Sequence, residues 1–282
     1  MGIKHILLAV DMDSADAAVV VAARLARRLD ARLTLAHIGP NDAIGRAAIT
    51  RATHSLDQSE VRADVRLEHL GAGTTVAQSL LALSEALRPD LLVLGSRGRL
   101  APAASLFGSV SREVARSAHL PVLIAREGVR QAGPAAHLLL VVMEETLGSP
   151  ELEVGIQLAL GLKATVTVLH VHGPLEEAVE DLMRVPAPRR LDHLTNDLLA
   201  RLRSAGIEAN IVIARNRDGL ASEVSRAALS TNSDLVLIPA GTSDAAERWL
   251  LGTLEEEIGR RSQLSVVVTP PSDTSKTGLG GR

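Results

Sequence analysis

Three glycines and the residues between them are where this 282-residue chain has the means to do chemistry. Gly95 ends the aliphatic run LLVLG, Gly98 follows two residues later, and Gly108-Ser109 comes after nine more. Glycine lets a ligand approach the backbone closely and permits positive φ at a turn. Ser109, Val110 and Ser111 open a helical pattern, and free N–H groups at a helix start suit phosphate oxygens. The hydroxyls of Ser109 and Ser111 add donors, and Arg97 and Arg99 add positive charge. The combination is anion-holding chemistry. Taken singly, Gly95 and Gly98 also read as a tight turn, and Gly108-Ser109 as a helix cap.

A second group stands at the end of the first aliphatic run, where Ala9 and Val10 lead into Asp11. A carboxylate there accepts hydrogen bonds from sugar hydroxyls or an amino group. Its alternative role is to cap the next helix, for which Asp13 and Ser14 compete.

These residues need elements to hold them, and the chain supplies such elements twice. HILLAVDM parallels HLLLVVME, ARLTLAHI parallels ATVTVLHV, and the segments from Thr74 and Ser105 align without gaps on those from Asp218 and Trp249. The first copy alternates strands and helices. Strand ILLAV precedes a helix over Ala15–Leu29, a strand over Leu33–Ile38, and a helix over roughly Ala43–Arg62. A strand over Asp64–Leu70, a helix over Val76–Leu87, strand LLVLG, a helix over Ser109–Ser117 and strand PVLIA complete it. Such alternation gives an α/β fold with a parallel sheet covered on both faces. Residues 126–136 read as a linker, 272–282 as a disordered tail, and the extra residues of the second copy fall mainly within 172–190.

Composition excludes several classes of function. With one Phe, one Trp and no Tyr, the core must be aliphatic, and stacking platforms for single-stranded nucleic acid are missing. A net charge of −3 with interspersed signs argues against nucleic acid or anionic lipid as a partner. The absence of cysteine removes thiol catalysis, disulfides and Cys-ligated metals. No apolar run reaches membrane-spanning length and the N-terminus lacks a signal-peptide pattern, so the expected location is cytoplasmic.

The spacing Gly95-x-x-Gly98, nine residues, Gly108-Ser109, together with ILLAVDMDSAD, LAHI and HLPVLIA, resembles the universal stress protein family and its G-2x-G-9x-G(S/T) nucleotide loop. The likeness covers nearly the whole chain as two tandem, doubly wound parallel-sheet domains, over residues 1–126 and 136–271. It implies an ATP site, with or without magnesium, and a stress-response role. Asp11, with Ala9 and Val10 before it, would meet the ribose or the adenine edge. Ile38 would contact adenine through its backbone, and Gly95 and Gly98 would line the ribose–phosphate path. Gly108, Ser109 and Val110 would hold phosphates, with Ser111, Arg97 and Arg99 beside them. The resemblance also implies a pseudo-twofold pairing of the domains through PVLIA and SVVVT, and leaves room for a homodimer and a protein partner.

The second copy departs from the pattern. Asp11 becomes Met143, Gly95 becomes Pro239 and Gly98 becomes Thr242, with only Gly252-Thr253 retained. Proline removes a donor and cannot take positive φ. Glu255, Glu256 and Glu257 follow where phosphate would sit, so ATP is expected in the first copy alone. His170-x-His172 is a metal pair in outline, but His170 matches His37, which favours a structural role. Trp249 reads as a packing or subunit contact. No Walker-type loop, kinase signature or obvious water-activating base is present. The chain therefore reads as a regulatory binding module. The alternatives are a slow ATPase or self-phosphorylating enzyme, and an interaction protein with a vestigial loop.

Overall fold

A computed structural model describes residues 2–11, 15–39, 43–96, 108–126, 136–142, 150–172, 189–215, 219–239 and 264–270. The proposed tail, the extra loop over 173–188, Met143, Trp249 and the segment around Gly252 lie outside these. In the front half, β1 (His5–Ala9), α1 (Ala15–Leu29), β2 (Arg32–Gly39), α2 (Ala43–Gln58), β3 (Ala63–His69), α3 (Val76–Leu87), β4 (Leu91–Gly95), α4 (Ser109–Ser117) and β5 (Val122–Ala125) follow in order. The rear half supplies β6 (His137–Val142), α5 (Pro150–Leu162), β7 (Thr165–His172), α6 (Arg189–Ser204), β8 (Ala209–Arg215), α7 (Leu220–Ser230), β9 (Leu235–Pro239) and β10 (Ser265–Thr269).

All ten strands form one sheet in the order β3-β2-β1-β4-β5-β10-β9-β6-β7-β8. Every pairing is parallel except β5 with β10, where Leu123 faces Val267 across an antiparallel seam. PVLIA and SVVVT thus join the halves, and the order reads the same from either end, as a pseudo-twofold axis requires.

Aliphatic strands dictate the burial. In β1, Ile6 and Leu8 point to one face and Leu7 to the other, and all three are fully buried. Such two-sided burial is what a parallel sheet between helix layers demands. On one face α1 packs against α5 across the junction of the halves. The backbones come close there because Gly161 has no side chain; a Cβ would stand 2.7 Å from Leu25 Cδ2.

The turns from helix to strand repeat as well. Asp30 and Lys163 end α1 and α5 with φ of 51° and 52°, and Arg88 and Asn232 follow α3 and α7 with φ of 48° and 50°. Glu60 and Gly206, at 58° and 78°, do the same for α2 and α6. The left-handed residue closes each helix and sends the chain back into the sheet. It also explains why α2 stops at Gln58 instead of running to Arg62: with Glu60 left-handed, the Val61 N–H turns back to the Leu56 carbonyl.

Candidate functional site

In an open parallel sheet, ligands sit beyond the carboxyl ends of the strands where the strand order reverses. In the front half that place lies between β1 and β4, because β2 and β3 run outward on one side and β5 on the other. Ala9 ends β1 and Gly95 ends β4, so the topology brings the two groups of chemical residues to one crevice. Val10 is buried and its N–H donates to the Ala36 carbonyl at 2.9 Å, fixing the chain just before the half-buried Asp11. Ile38, also buried, lies near the end of the adjacent β2.

The glycine loop is closed at its base. The Ser96 N–H donates to the Ala125 carbonyl at 3.0 Å, and the Gly108 N–H donates to the Ser96 carbonyl. Ser96 and Gly108 are therefore clamped together at the end of β4. Arg97, Gly98 and Arg99 themselves lie outside the described residues. The Ser111 hydroxyl is buried and shared between the Gly108 carbonyl at 3.1 Å and the Ser96 carbonyl at 3.3 Å. It braces the clamp from inside, while Ser109 is exposed and Val110 half-buried.

Two neighbouring helices show how differently their first turns are treated. At α3, Thr75 and Gln78 form a capping box: the Gln78 N–H donates to Thr75 Oγ1 at 3.1 Å and the Thr75 N–H to Gln78 Oε1 at 2.9 Å. Those amides are satisfied internally. At α4 the capping residue is Gly108, with φ −68° and ψ 166°, and it makes no side-chain cap to the first turn. The first helical N–H groups of α4 have no intrahelical acceptor and point beyond the strand ends. Gly108 thus contributes by lacking a side chain. Neither it nor Gly95, which lies in extended β4, uses the positive φ that the sequence suggested.

Two residues of the site carried little signal of their own. Ser96 supplies the carbonyl that clamps the loop. His37 donates from Nδ1 to the Val10 carbonyl at 3.0 Å and so ties β2 to the end of β1. Its ring lies against Gly39, where a Cβ would be 2.9 Å from Nε2. The repeat of His37 as the buried His170 was the one available hint.

In the rear half the matching crevice lies between β6 and β9. There Pro239 stands where β4 has Gly95, and it still occupies its strand opposite Thr269. No helix among the described residues is long and apolar enough to cross a membrane.

Solved structures are similar to this chain, some along almost its full length and others over under half of it. A functionally unknown protein from Pseudomonas aeruginosa PAO1 is 19% identical, with coverage of 96% of this chain and 94% of that one and a TM-score of 0.67. A universal stress protein from Archaeoglobus fulgidus DSM 4304 is 14% identical over 96% and 97% of the two chains, with a TM-score of 0.63. A universal stress protein from Archaeoglobus fulgidus in complex with dAMP, 22% identical, covers 43% of this chain and 97% of its own length, with a TM-score of 0.34. A search of curated proteins finds no match. The model of the universal stress protein family matches residues 2–126 and again residues 138–270. With both halves matched, the chain belongs to the universal stress protein family.

Proposed function

We propose that the front half binds ATP, with or without magnesium, and that occupancy regulates a partner surface in a stress response. One observation carries this reading. The first turn of α4 is left without a side-chain cap while its start is clamped to the end of β4, at the strand-order reversal. A triphosphate would satisfy those amides and gain from the helix dipole. Gly108, Ser109 and Val110 would meet the phosphates, with Arg97 and Arg99 supplying mobile positive charge and Gly95 and Gly98 lining the path. Asp11, following Ala9 and Val10, would accept the ribose hydroxyls, and the Ile38 backbone would face adenine. Ser111 would act through the clamp. In this reading the two domains divide the work: the front binds, and the rear, with Pro239 and Met143 at the matching places, serves as its structural partner.

Calorimetry with ATP and mass spectrometry of the gently desalted protein test the proposal. Saturable binding, lost on combining Gly98→Ala with Gly108→Ala in a chain of unchanged circular dichroism, is expected. Undiminished affinity in that variant would show the pocket to be assigned wrongly. Absence of binding at millimolar ATP would favour a vestigial loop. Single-turnover assays with labelled ATP separate binding from slow hydrolysis or self-phosphorylation; neither released phosphate nor labelled protein is expected.

A further inference from the structure

The two outer strands of the sheet are equivalent in the repeat, and both expose apolar residues, Val65 and Leu67 on β3 and Ile211 and Ile213 on β8, but only β3 interleaves them with charges. β3 is ADVRLEH and β8 is ANIVIAR, seven residues each. Pairing with the inner neighbour puts Ala63 beside Leu33 in one half and Ala209 beside Val166 in the other, so the strands align residue for residue. Asp64, Arg66 and Glu68 on β3 then correspond to Asn210, Val212 and Ala214 on β8. Charges along an edge strand discourage pairing with another chain. The front edge has three at these positions and the rear edge has none.

β8 is also exposed where it is apolar. Ile211 is 36% accessible, Val212 37% and Ile213 57%. The Val166 N–H donates to the Glu208 carbonyl at 2.9 Å, so residues 208, 210, 212 and 214 direct their backbone groups toward β7. By alternation, Ala209, Ile211 and Ile213 direct theirs outward. Arg203 Nη2 donates to the Ala209 carbonyl at 3.3 Å, which leaves the peptide groups of Ile211 and Ile213 as the open ladder among the described residues.

We infer that β8 is the seam of a homodimer, pairing antiparallel with β8 of a second copy about a twofold axis through Val212. This register sets Ile211 opposite the partner's Ile213 and Ile213 opposite the partner's Ile211, as hydrogen-bonded pairs. Val212 faces its own copy on the axis. No like charges meet in it, and its central pairs are apolar on both faces of the sheet, while Asn210 and Arg215 stand opposite small alanines, the partner's Ala214 and the partner's Ala209. The fit of β8 to itself is what selects a second copy over an unrelated extended peptide. The antiparallel β5–β10 seam shows the same type of join inside the chain. The inference is independent of nucleotide binding.

Sedimentation of the full chain over a wide concentration range, without nucleotide, tests it. The protein is expected to dimerise, and Val212→Arg, which installs the residue found at the matching position of β3, is expected to weaken association roughly 10- to 100-fold without loss of fold. Val212→Asp alone behaves likewise, whereas an equimolar mixture of the Asp and Arg variants re-forms a dimer. Because the chain has no cysteine, Val212→Cys gives a second readout. A non-hydrogen-bonded antiparallel pair holds its Cα atoms about 4.5 Å apart, within disulfide range, so oxidation with diamide links two chains. Arg66→Cys, on the protected edge, does not. A chain monomeric throughout, a Val212→Arg dimer as tight as the parent, or a mixture that stays monomeric would each overturn the inference.

Discussion

At the amino edge of the sheet the two halves share the same core of hydrogen bonds. Asp90 Oδ2 accepts the N–H of His5 at 2.8 Å, and Asp234 Oδ2 accepts that of His137 at 2.9 Å. His5 Nε2 lies 2.9 Å from Thr34 Oγ1, and His137 Nε2 lies 2.8 Å from Thr167 Oγ1. At the carboxyl edge the halves differ, with Gly95 against Pro239, and the outer strands differ again. The amino edge sets strand register, and a change there disturbs every residue beyond it. The carboxyl edge carries loops, which can lose a ligand without loss of fold. The repeat therefore separates what the fold requires from what binding requires.

The largest expected effect tests that separation directly. Gly95→Pro transplants the rear residue into the front crevice. Pro239 pairs with Thr269 inside an intact β9, so proline at this position is compatible with the fold. The variant should melt near the parent temperature but lose ATP affinity by about 100-fold or more, since it puts a ring where the ligand must approach and removes a donor. Retained affinity in calorimetry would mean that the glycine–proline difference has nothing to do with binding.

Removing the shared brackets should have the reverse outcome, a loss of stability in both halves. Asp90 Oδ2 also accepts the Lys4 N–H at 2.8 Å, so Asp90→Ala strips two backbone donors and Asp234→Ala one. A lost partner costs about 1–3 kcal/mol for a donor left buried, with Lys4 the more exposed of the pair. Urea denaturation should rank Asp90→Ala as the more damaging. Equal midpoints would show that the brackets differ in more than their count of bonds.

Much of this was legible in the sequence, and where it was not the reason is local. The spans of α3, β4 and α4 match their expected limits because Thr75 and Gln78, Gly95, and Gly108 mark the ends. The limit of α2 was missed because its left-handed turn residue is Glu60, and only glycine or asparagine advertises that conformation in a sequence. The repeat was visible, and the strand order follows from it once β5 pairs with β10. The clamp was not visible: Ser111 read as a donor to ligand, but its hydroxyl turns inward to carbonyls three and fifteen residues back. Composition cannot express that choice.

The paired histidines give the comparison a pH dependence. Burial pushes the His5 imidazole below the usual histidine range; Arg32, whose Nη2 is 2.9 Å from Nδ1, adds to this, while Asp90 and Asp64 oppose it. Burial lowers His137 as well, against the pull of Asp234. A base with a depressed folded pKa binds fewer protons folded than unfolded. Its stabilising contribution is intact above the unfolded value of about 6.5 and is lost as pH falls below it toward the folded pKa. Stability should therefore fall from pH 7 toward pH 5, and less steeply in His5→Gln and His137→Gln. Slopes unchanged in both variants would assign the acid loss to other groups.

The smallest effect is the sharpest comparison, because it sets one matched pair against itself. Glu60 and Gly206 occupy the same turn with φ of 58° and 78°. A Cβ built on Gly206 meets nothing within 4 Å, so Gly206→Ala is penalised by backbone conformation alone, about 1 kcal/mol. Glu60→Gly relieves the same strain in the front half and should gain several tenths of a kcal/mol, the unfolded chain's added freedom offsetting part of the benefit. The two denaturation midpoints should thus move in opposite directions. Movement in the same direction would mean that Glu60 is held by contacts of its own, and that the turns match in shape without matching in energy.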